Sequence, residues 1–330
     1  MKNSMHRDTQ QADQRGIVSF MVTLIMMMVI SLIVIGFTQV TMRSRREALD
    51  KQLSSQAFYA AESGVNKVVS TIKQDLIDNQ PIAQQNNCTD STYSSFQLDP
   101  NNVEVTCIMV NTLPKSIVGK ATKNASFVTY VNPTQALSEL TFTWSPPDNL
   151  SGVGSTCNSP FGTFDKTSNG CAFGLLRVDM YNTSKPVADP GATTTFYMQP
   201  INGASVPRNI TNATSGGILV HAGCTEDTCT ATLKLDNSIS DKKFYLRIST
   251  LYRDSKSVVI TGNSGVHFEG AQAVIDATGR AQDVLRRVQV RYPLGQSDDT
   301  PPWAVAGRVC KRLTVVPATS VSISSPCDSP

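Results

Sequence analysis

One uninterrupted apolar run near the start of the chain constrains its fold more than any other feature. Residues 17–40, IVSFMVTLIMMMVISLIVIGFTQV, contain 24 positions and no charged side chain. A helix of this length rises about 36 Å, which exceeds the hydrocarbon core of a bilayer, about 30 Å thick. The run is also longer than the apolar centre of a secretory signal peptide, which has about 7–15 residues. The sequence therefore predicts a helix that spans a membrane.

The helical pattern continues past this run into charged sequence. No proline occurs before Pro81, where the polar stretch NQPIAQQNN predicts the end of the helix. The sequence thus predicts one helix from about Ile17 to about Ile77, with a membrane-spanning part at 17–40 and an amphipathic part within 41–80. The apolar stripe of the second part follows three- and four-residue steps; its members are Leu49, Leu53, Ala57, Ala60, Ala61, Gly64, Val65, Val68, Ile72 and Leu76.

After Pro81 the composition changes to threonine, serine, asparagine and glycine, with short β-type runs between turn residues. The predicted fold class is α+β, a long N-terminal helix followed by a disulfide-stapled, mainly antiparallel β-rich domain at 81–330. Its length suits one large core or two smaller subdomains. The runs predicted as strands are 102–110, 126–131, 140–144, 175–181, 194–201, 217–223, 230–236, 243–252, 257–262, 266–279 and 283–293.

The last of these runs has a clear period of two. Val284, Val288, Val290 and Tyr292 share one face with Arg286, and the opposite face carries Leu285, Arg287, Gln289 and Arg291. This alternation predicts a half-buried strand, preceded by a turn in TGRAQD at 278–283.

The chain has eight cysteines, all of them after the apolar run. An even set on one side of a membrane indicates an oxidising compartment, so the β-rich domain is predicted to lie outside the cytoplasm. The charges around the run do not settle its orientation. We expect disulfides between neighbours in sequence, with free buried thiols or a zinc site as the alternatives: Cys88 with Cys107, Cys157 with Cys171, Cys224 with Cys229, and Cys310 with Cys327.

No catalytic motif is evident. The three histidines are His6, His221 and His267, and the chain has no Gly-x-Ser-x-Gly elbow, His-Glu-x-x-His helix or phosphate-binding glycine loop. The acidic pair in CTEDTC, residues 224–229, does not have the ligand spacing of an EF-hand, and His221 is best explained as a structural histidine. The prediction is a non-enzymatic protein with no cofactor and no metal.

Basic residues are concentrated in the last quarter of the chain. Arg286, Arg287 and Arg291 form a candidate surface for an anion or a partner, and the alternative is a solvated strand face or a contact with neighbouring subunits. The net charge of the chain is only +3, which makes nucleic acid an unlikely ligand.

The first 75 residues resemble a known family. MKNSMHRDTQQADQRG, residues 1–16, is similar to a type IV prepilin leader, and QAFYAAESG at 56–64 resembles the corresponding stretch of PilX-type minor pilins. ATGRAQDVLRRVQVRYP, at 277–293, is similar to the closing hairpin of many pilin-like domains. The resemblance implies that a prepilin peptidase cuts between Gly16 and Ile17, that Ile17 is then methylated, and that the apolar helix stays in the subunit.

The sequence departs from the major pilins at one position. These carry a glutamate five residues after the cut, and here that position is Met21. A carboxylate without a partner is costly in hydrocarbon, so its absence favours a minor subunit at a tip or in an initiating complex.

The resemblance thus implies a minor pilin-like subunit of a type IV pilus that primes or caps assembly and displays its β-rich domain for surface attachment. The expected partners are other pilin subunits, the pilus assembly machinery, the prepilin peptidase and the inner membrane. The expected localisation is a single-pass membrane protein that later enters an extracellular filament. The alternatives are a minor pseudopilin of a type II-like secretion complex and an uncleaved single-pass envelope binding protein.

Helix packing is assigned to the stretch that carries the PilX-type resemblance. Small residues there allow close approach of a helix or a strand, Phe58 and Tyr59 are expected to anchor packing, and Glu62 is expected to meet a basic group or water. The residues predicted to pack are Phe58, Tyr59, Ala60, Ala61, Glu62 and Gly64.

Overall fold

The computed structural model describes residues 8–90, 92–99, 102–122, 125–147, 173–183, 192–202, 204–210, 216–236 and 243–294. These residues form one long helix and fourteen strands, which confirms the α+β prediction. In chain order the elements are α1 (Asp8–Ile77), β1 (Phe96–Asp99), β2 (Val103–Asn111), β3 (Ser116–Gly119), β4 (Phe127–Val131), β5 (Glu139–Trp144), β6 (Leu175–Asn182), β7 (Thr193–Asn202), β8 (Arg208–Ile210), β9 (Gly216–Cys224), β10 (Cys229–Leu235), β11 (Phe244–Leu251), β12 (Val258–Gly262), β13 (Gln272–Ala281) and β14 (Val284–Pro293).

Helix α1 ends where the sequence predicts but begins earlier. It starts at Asp8 rather than at Ile17, because the residues before the apolar run contain no proline and one glycine does not end a helix. At its other end Asn79 has a positive φ of 53°. The amide of Gln80 donates to the carbonyl of Asp75 at 2.8 Å, and the amide of Asn79 donates to the carbonyl of Leu76 at 3.4 Å. This is a Schellman motif, and Pro81 follows it directly.

A four-stranded antiparallel sheet, sheet one, packs against the amphipathic part of α1. Its strand order is β1-β2-β13-β14. A hydrophobic core fills the space between helix and sheet. The buried members of this core are Val65, Val68, Ile72, Tyr93, Val105, Ile108, Val110, Ala273, Ile275, Ala277 and Leu294.

A ten-stranded sheet, sheet two, forms the second core. Its strand order is β3-β12-β5-β10-β9-β7-β6-β11-β4, and β8 pairs with β10 outside this path. The pairs β7–β9 and β8–β10 are parallel, and the other pairs are antiparallel. Alternate residues of nearly every strand join one continuous hydrophobic cluster that includes Phe142, Trp144, Phe196 and Phe268. The described strands therefore contribute to two hydrophobic cores, one of which they share with α1.

The eleven runs predicted as strands all contain strands, but three further strands were missed. β1, β3 and β8 have only three or four residues each, too few to show an alternating pattern. The predicted turn at 278–283 is also shorter in the structure. Strand β13 continues to Ala281, and the turn consists of Gln282 and Asp283, with Gln282 at a φ of 54°.

Sheet two is inserted between two neighbouring strands of sheet one. Its strands fall between the end of β2 at Asn111 and the start of β13 at Gln272, and β2 pairs directly with β13. Two side chains of sheet one bind the edge strand β3. Gln272 accepts from the amide of Val118 at 3.0 Å and donates to its carbonyl at 2.6 Å, while Arg291 donates to the carbonyl of Ser116 at 2.7 Å.

The chain between α1 and β1 is fixed to β2 through Gln85. Its backbone forms a two-way bridge with Val110, at 2.9 and 2.8 Å. Its buried side chain accepts from the amide of Tyr93 at 2.7 Å and donates to the carbonyls of Tyr93 and Ile108, at 3.2 and 2.8 Å. Tyr93 lies over the core, and burial, followed by the charge of Asp75, raises the pKa of its phenol.

The disulfide between Cys88 and Cys107 links the same segment to β2, as predicted. We expect the double substitution Cys88→Ala with Cys107→Ala to lower the free energy of unfolding by about 3 kcal/mol, because the closed loop restricts the unfolded chain. Denaturant titration of the detergent-solubilised chain, followed by circular dichroism, measures this effect. The exposed neighbour Thr89 provides the control, Thr89→Ala; an equal denaturation midpoint in both variants would contradict the prediction.

Candidate functional site

The apolar side chains of the membrane-spanning part of α1 are exposed in the isolated chain. Of the described residues, one helix, within Val18–Ile77, is long and apolar enough to cross a membrane by length and composition. Its large apolar side chains are exposed from Val18 to Val40, including Met21. Gly16 and Ile17 lie on the helical backbone of α1. This arrangement fits a membrane anchor.

The next part of the helix rests on sheet one through small residues. Ala57, Ala60 and Ala61 are buried, and they face Gly279 of β13. An ideal Cβ on Gly279 would lie 2.8 Å from the Cβ of Ala60 and still closer to the backbone of Ala57 and Ala61. The helix backbone and the strand backbone are therefore in direct contact at this point.

Gly64 makes the second close approach, one turn further along the helix. A Cβ at this position would lie 2.9 Å from a methyl group of Val105 and 3.3 Å from the Cβ of Ala277. The small residues of the QAFYAAESG stretch thus fit the helix to its own sheet. The predicted apolar stripe is buried from Ala57 to Ile72, whereas Leu49 and Leu76 at its two ends are exposed.

The aromatic residues of this stretch have a different environment. Phe58 is 46% exposed and Tyr59 is 65% exposed. Their rings contact each other edge to face, with centroids 5.9 Å apart, and Glu62 is exposed one turn away. Large exposed aromatic side chains are typical of interaction surfaces. The stretch therefore has one side occupied by sheet one and another side available to a partner.

The three arginines predicted to bind an anion or a partner all have partners within the chain. Arg286 donates to the hydroxyl of Ser54 on α1 at 2.9 Å, and Arg291 binds Ser116 of β3. Arg287 forms a two-pronged contact with Asp276, which is nearly buried, and the Arg287 Nε lies 2.6 Å from a carboxylate oxygen. That contact raises the pKa of Arg287, whereas burial lowers the pKa of Arg291.

These contacts agree with the predicted alternation of β14. Arg286 lies on the helix-facing side with Val288, Val290 and Tyr292, which pack against the core. Arg287 and Arg291 lie on the opposite side of the sheet. The three side chains act as connections from β14 to α1, β13 and β3, and anion binding by them remains a prediction.

Four of the eight cysteines form the disulfides predicted for them. Besides Cys88 and Cys107, Cys224 pairs with Cys229 at the ends of β9 and β10, with a Cα–Cα distance of 4.0 Å. The cysteines of the other predicted pairs lie outside the described residues; they are Cys157, Cys171, Cys310 and Cys327. The basic residues after Leu294 also lie outside the described residues.

The acidic loop between Cys224 and Cys229 closes on itself. The hydroxyls of Thr225 and Thr228 are 3.3 Å apart, and the amide of Thr225 donates to the carbonyl of Thr228 at 2.8 Å. Glu226 and Asp227 are exposed. Across the parts of the chain that the structure describes, no group of three histidine, cysteine or acidic side chains is placed to hold a metal ion.

Two residues that stabilise the assembly of α1 and sheet one were not singled out from the sequence. Gly279 allows the contact between helix and strand, and Gln85 satisfies three buried backbone groups. A glycine within a strand does signal close backbone approach, so Gly279 could have been noticed. A glutamine in a polar stretch carries no comparable signal.

Comparison with known protein families supports the resemblance found in the sequence. Residues 15–66 match the family model described as PilX N-terminal. The matched region contains the Gly16–Ile17 junction, the apolar run and the QAFYAAESG stretch, so the predicted PilX-type resemblance is confirmed there and is consistent with a PilX-type type IV pilin. Comparison with curated proteins and with solved structures gives no match.

Proposed function

We propose, from the PilX-type N-terminal domain, that this chain is a non-enzymatic minor pilin-like subunit of a type IV pilus. It is stored in the membrane through α1 and is then extracted into a bundle of pilin helices. There it primes or caps assembly and displays the β-rich domain for surface attachment. In this role the β-rich domain lies outside the cytoplasm.

The observation that carries this proposal is that two parts of one continuous helix have different surroundings. The part from Val18 to Val40 has exposed apolar side chains all around, which suits lipid first and neighbouring helices later. The part from Ala57 to Ile72 is fixed to sheet one. Extraction from the membrane therefore moves the β-rich domain together with the helix, because the two share a hydrophobic core.

Met21 supports the minor role. The apolar run has no carboxylate that could pair with the amine of a neighbouring subunit. A subunit without this pairing lacks one of the contacts that set the register of a repeating filament. This favours a position at a tip or in an initiating complex over incorporation along the whole fibre.

Mass spectrometry of the N-terminus tests the proposal. We expect the protein recovered from cells to begin at a methylated Ile17 and a Gly16→Val variant to keep residues 1–16. Gly36→Val is the matched control, because Gly36 lies in the same helix with nothing within 4 Å of its Cβ position. This control is expected to be processed like the native chain.

Two results would contradict the proposal. An intact leader in all three proteins would make the chain an uncleaved envelope protein. A processed chain that is absent from sheared filaments would instead favour a secretion complex.

A further inference from the structure

The solvent-facing side of sheet two has two halves that differ in chemistry. In one half, threonines of β5 and β10 lie opposite each other and their hydroxyls are in contact. The Oγ1 atoms of Thr141 and Thr232 are 3.2 Å apart, and those of Thr143 and Thr230 are 3.3 Å apart. This is an ordinary solvated sheet face, built of residues that favour strands.

The other half carries a row of tyrosines across three neighbouring strands. Tyr181 of β6 pairs with Tyr245 of β11, which pairs with Tyr130 of β4. The rings of Tyr130 and Tyr245 are tilted, with centroids 4.9 Å apart. All three side chains are partly exposed. Two strand spacings of about 4.8 Å give the row a width of about 10 Å.

Charged residues form the next row on the same face. Asp179 of β6 is 2% exposed although it lies on the outer side of the sheet. Its carboxylate accepts from Thr195 at 2.8 Å and from Arg177 at 3.0 Å. These contacts occupy the carboxylate, and Arg177 neutralises its charge.

Arg247 stands directly opposite Asp179 on β11. It is exposed, and it donates to neutral oxygens, to Ser126 at 3.1 Å and to the phenol of Tyr181. The charges of Arg177, Arg247 and Asp179 sum to +1. Because Arg247 is hydrogen-bonded to Tyr181, its guanidinium lies beside the tyrosine row. Since Arg177 neutralises Asp179, the positive charge of Arg247 can attract an anionic group from solvent.

We propose that this face, formed by Tyr130, Tyr181, Tyr245 and Arg247, binds an anionic polysaccharide built of uronic acid units. The proposal rests on the function proposed above and names the chemistry of the surface to which the subunit attaches. Pyranose rings have C–H faces that pack against aromatic rings, and tyrosine provides a large contact area at low entropy cost. Arg247 is placed to bind a carboxylate of the same chain.

The charge and shape of the face favour such a glycan over nucleic acid. Single-stranded nucleic acid is bound by grooves in which several basic residues follow the phosphates. Here one of the two arginines is already paired with a buried aspartate. The face therefore lacks the row of basic side chains that follows a phosphate backbone, and the guanidinium of Arg247 suits contact with one carboxylate beside the tyrosine row.

Binding of polygalacturonate to the detergent-solubilised full chain, measured by biolayer interferometry, tests the proposal. Fully methyl-esterified polygalacturonate is the uncharged probe of the same backbone. We expect Tyr245→Ala to weaken binding of both polymers by about tenfold. We expect Arg247→Gln to weaken binding of the charged polymer alone, also by about tenfold.

A matched control separates this face from the rest of the molecule. The pair Thr143→Ala with Thr230→Ala alters the other half of the same sheet and is expected to bind like the native chain. Since Arg247 is exposed, its variant tests the proposal even if Tyr245→Ala does not fold.

Several results would overturn the inference. These are no binding of polygalacturonate, equal binding by Arg247→Gln and the native chain, or displacement of the polymer by oligothymidylate, which would indicate a nucleic-acid surface. The assay uses purified protein and is independent of N-terminal processing. A chain that binds the polymer but keeps its leader would contradict the pilus function and leave the glycan site standing.

Discussion

Replacing Gly279 by valine is expected to separate α1 from sheet one. The added side chain would overlap the backbone of Ala57 and Ala61, and this overlap is relieved only if the helix moves away from sheet one. We expect a loss of about 3 kcal/mol or more in the free energy of unfolding. Denaturant titration by circular dichroism measures the loss, and limited proteolysis between Gln56 and Ile77 reports release of the helix.

The matched control for this substitution is Gly270→Val. Gly270 has nothing within 4 Å of its Cβ position, although its φ of 69° strains any other residue there. The control therefore has the backbone cost of replacing a glycine but no clash with the helix. We expect a smaller loss of stability and no increase in cleavage of α1. Equal cleavage in the two variants would show that contact with Gly279 does not hold the helix.

Replacing Gln85 by alanine is expected to have a comparable effect without any steric clash. The substitution leaves the amide and carbonyl of Tyr93 and the carbonyl of Ile108 without their partner. A buried backbone group that loses its hydrogen bond costs about 1–3 kcal/mol, so for three groups the expected loss is about 3 kcal/mol or more. The denaturation midpoint of the solubilised chain measures it.

The neighbouring glutamine supplies the control. Gln84 is exposed and its side chain contacts only Asn86 among the hydrogen bonds described for it, at 3.0 Å. Gln84→Ala is expected to change stability by less than about 0.5 kcal/mol. If both alanine variants unfold at the same denaturant concentration, water replaces the lost partners of Gln85 and the segment is less tightly closed than its contacts indicate.

Much of the helix could be predicted because its signals are local. The apolar run, the spacing of the stripe and Pro81 each depend on neighbouring residues, and α1 ends at Ile77 as they indicate. The start at Asp8 was missed because a polar segment without a breaker can continue a helix as readily as precede it. The strands were found wherever they were long enough to alternate.

The relations between distant residues could not be read in the same way. Nothing near Gly279 shows that Ala57 and Ala61 will lie against it, more than two hundred positions earlier in the chain. The arginines of β14 were equally ambiguous, because a basic residue that faces solvent and one that pairs with Asp276 have the same local sequence. The tyrosine row depends on the pairing of three strands that are far apart in the chain.

The insertion of sheet two has a topological consequence. The chain leaves sheet one after Asn111 and returns at Gln272, and these positions lie near each other because Asn111 pairs with Val274 across β2 and β13. Everything between them can therefore change in length and sequence while the helix, its four strands and its core keep their connections. The helix and its four strands therefore form a stem, and sheet two is a head that the chain enters and leaves through one pair of neighbouring strands.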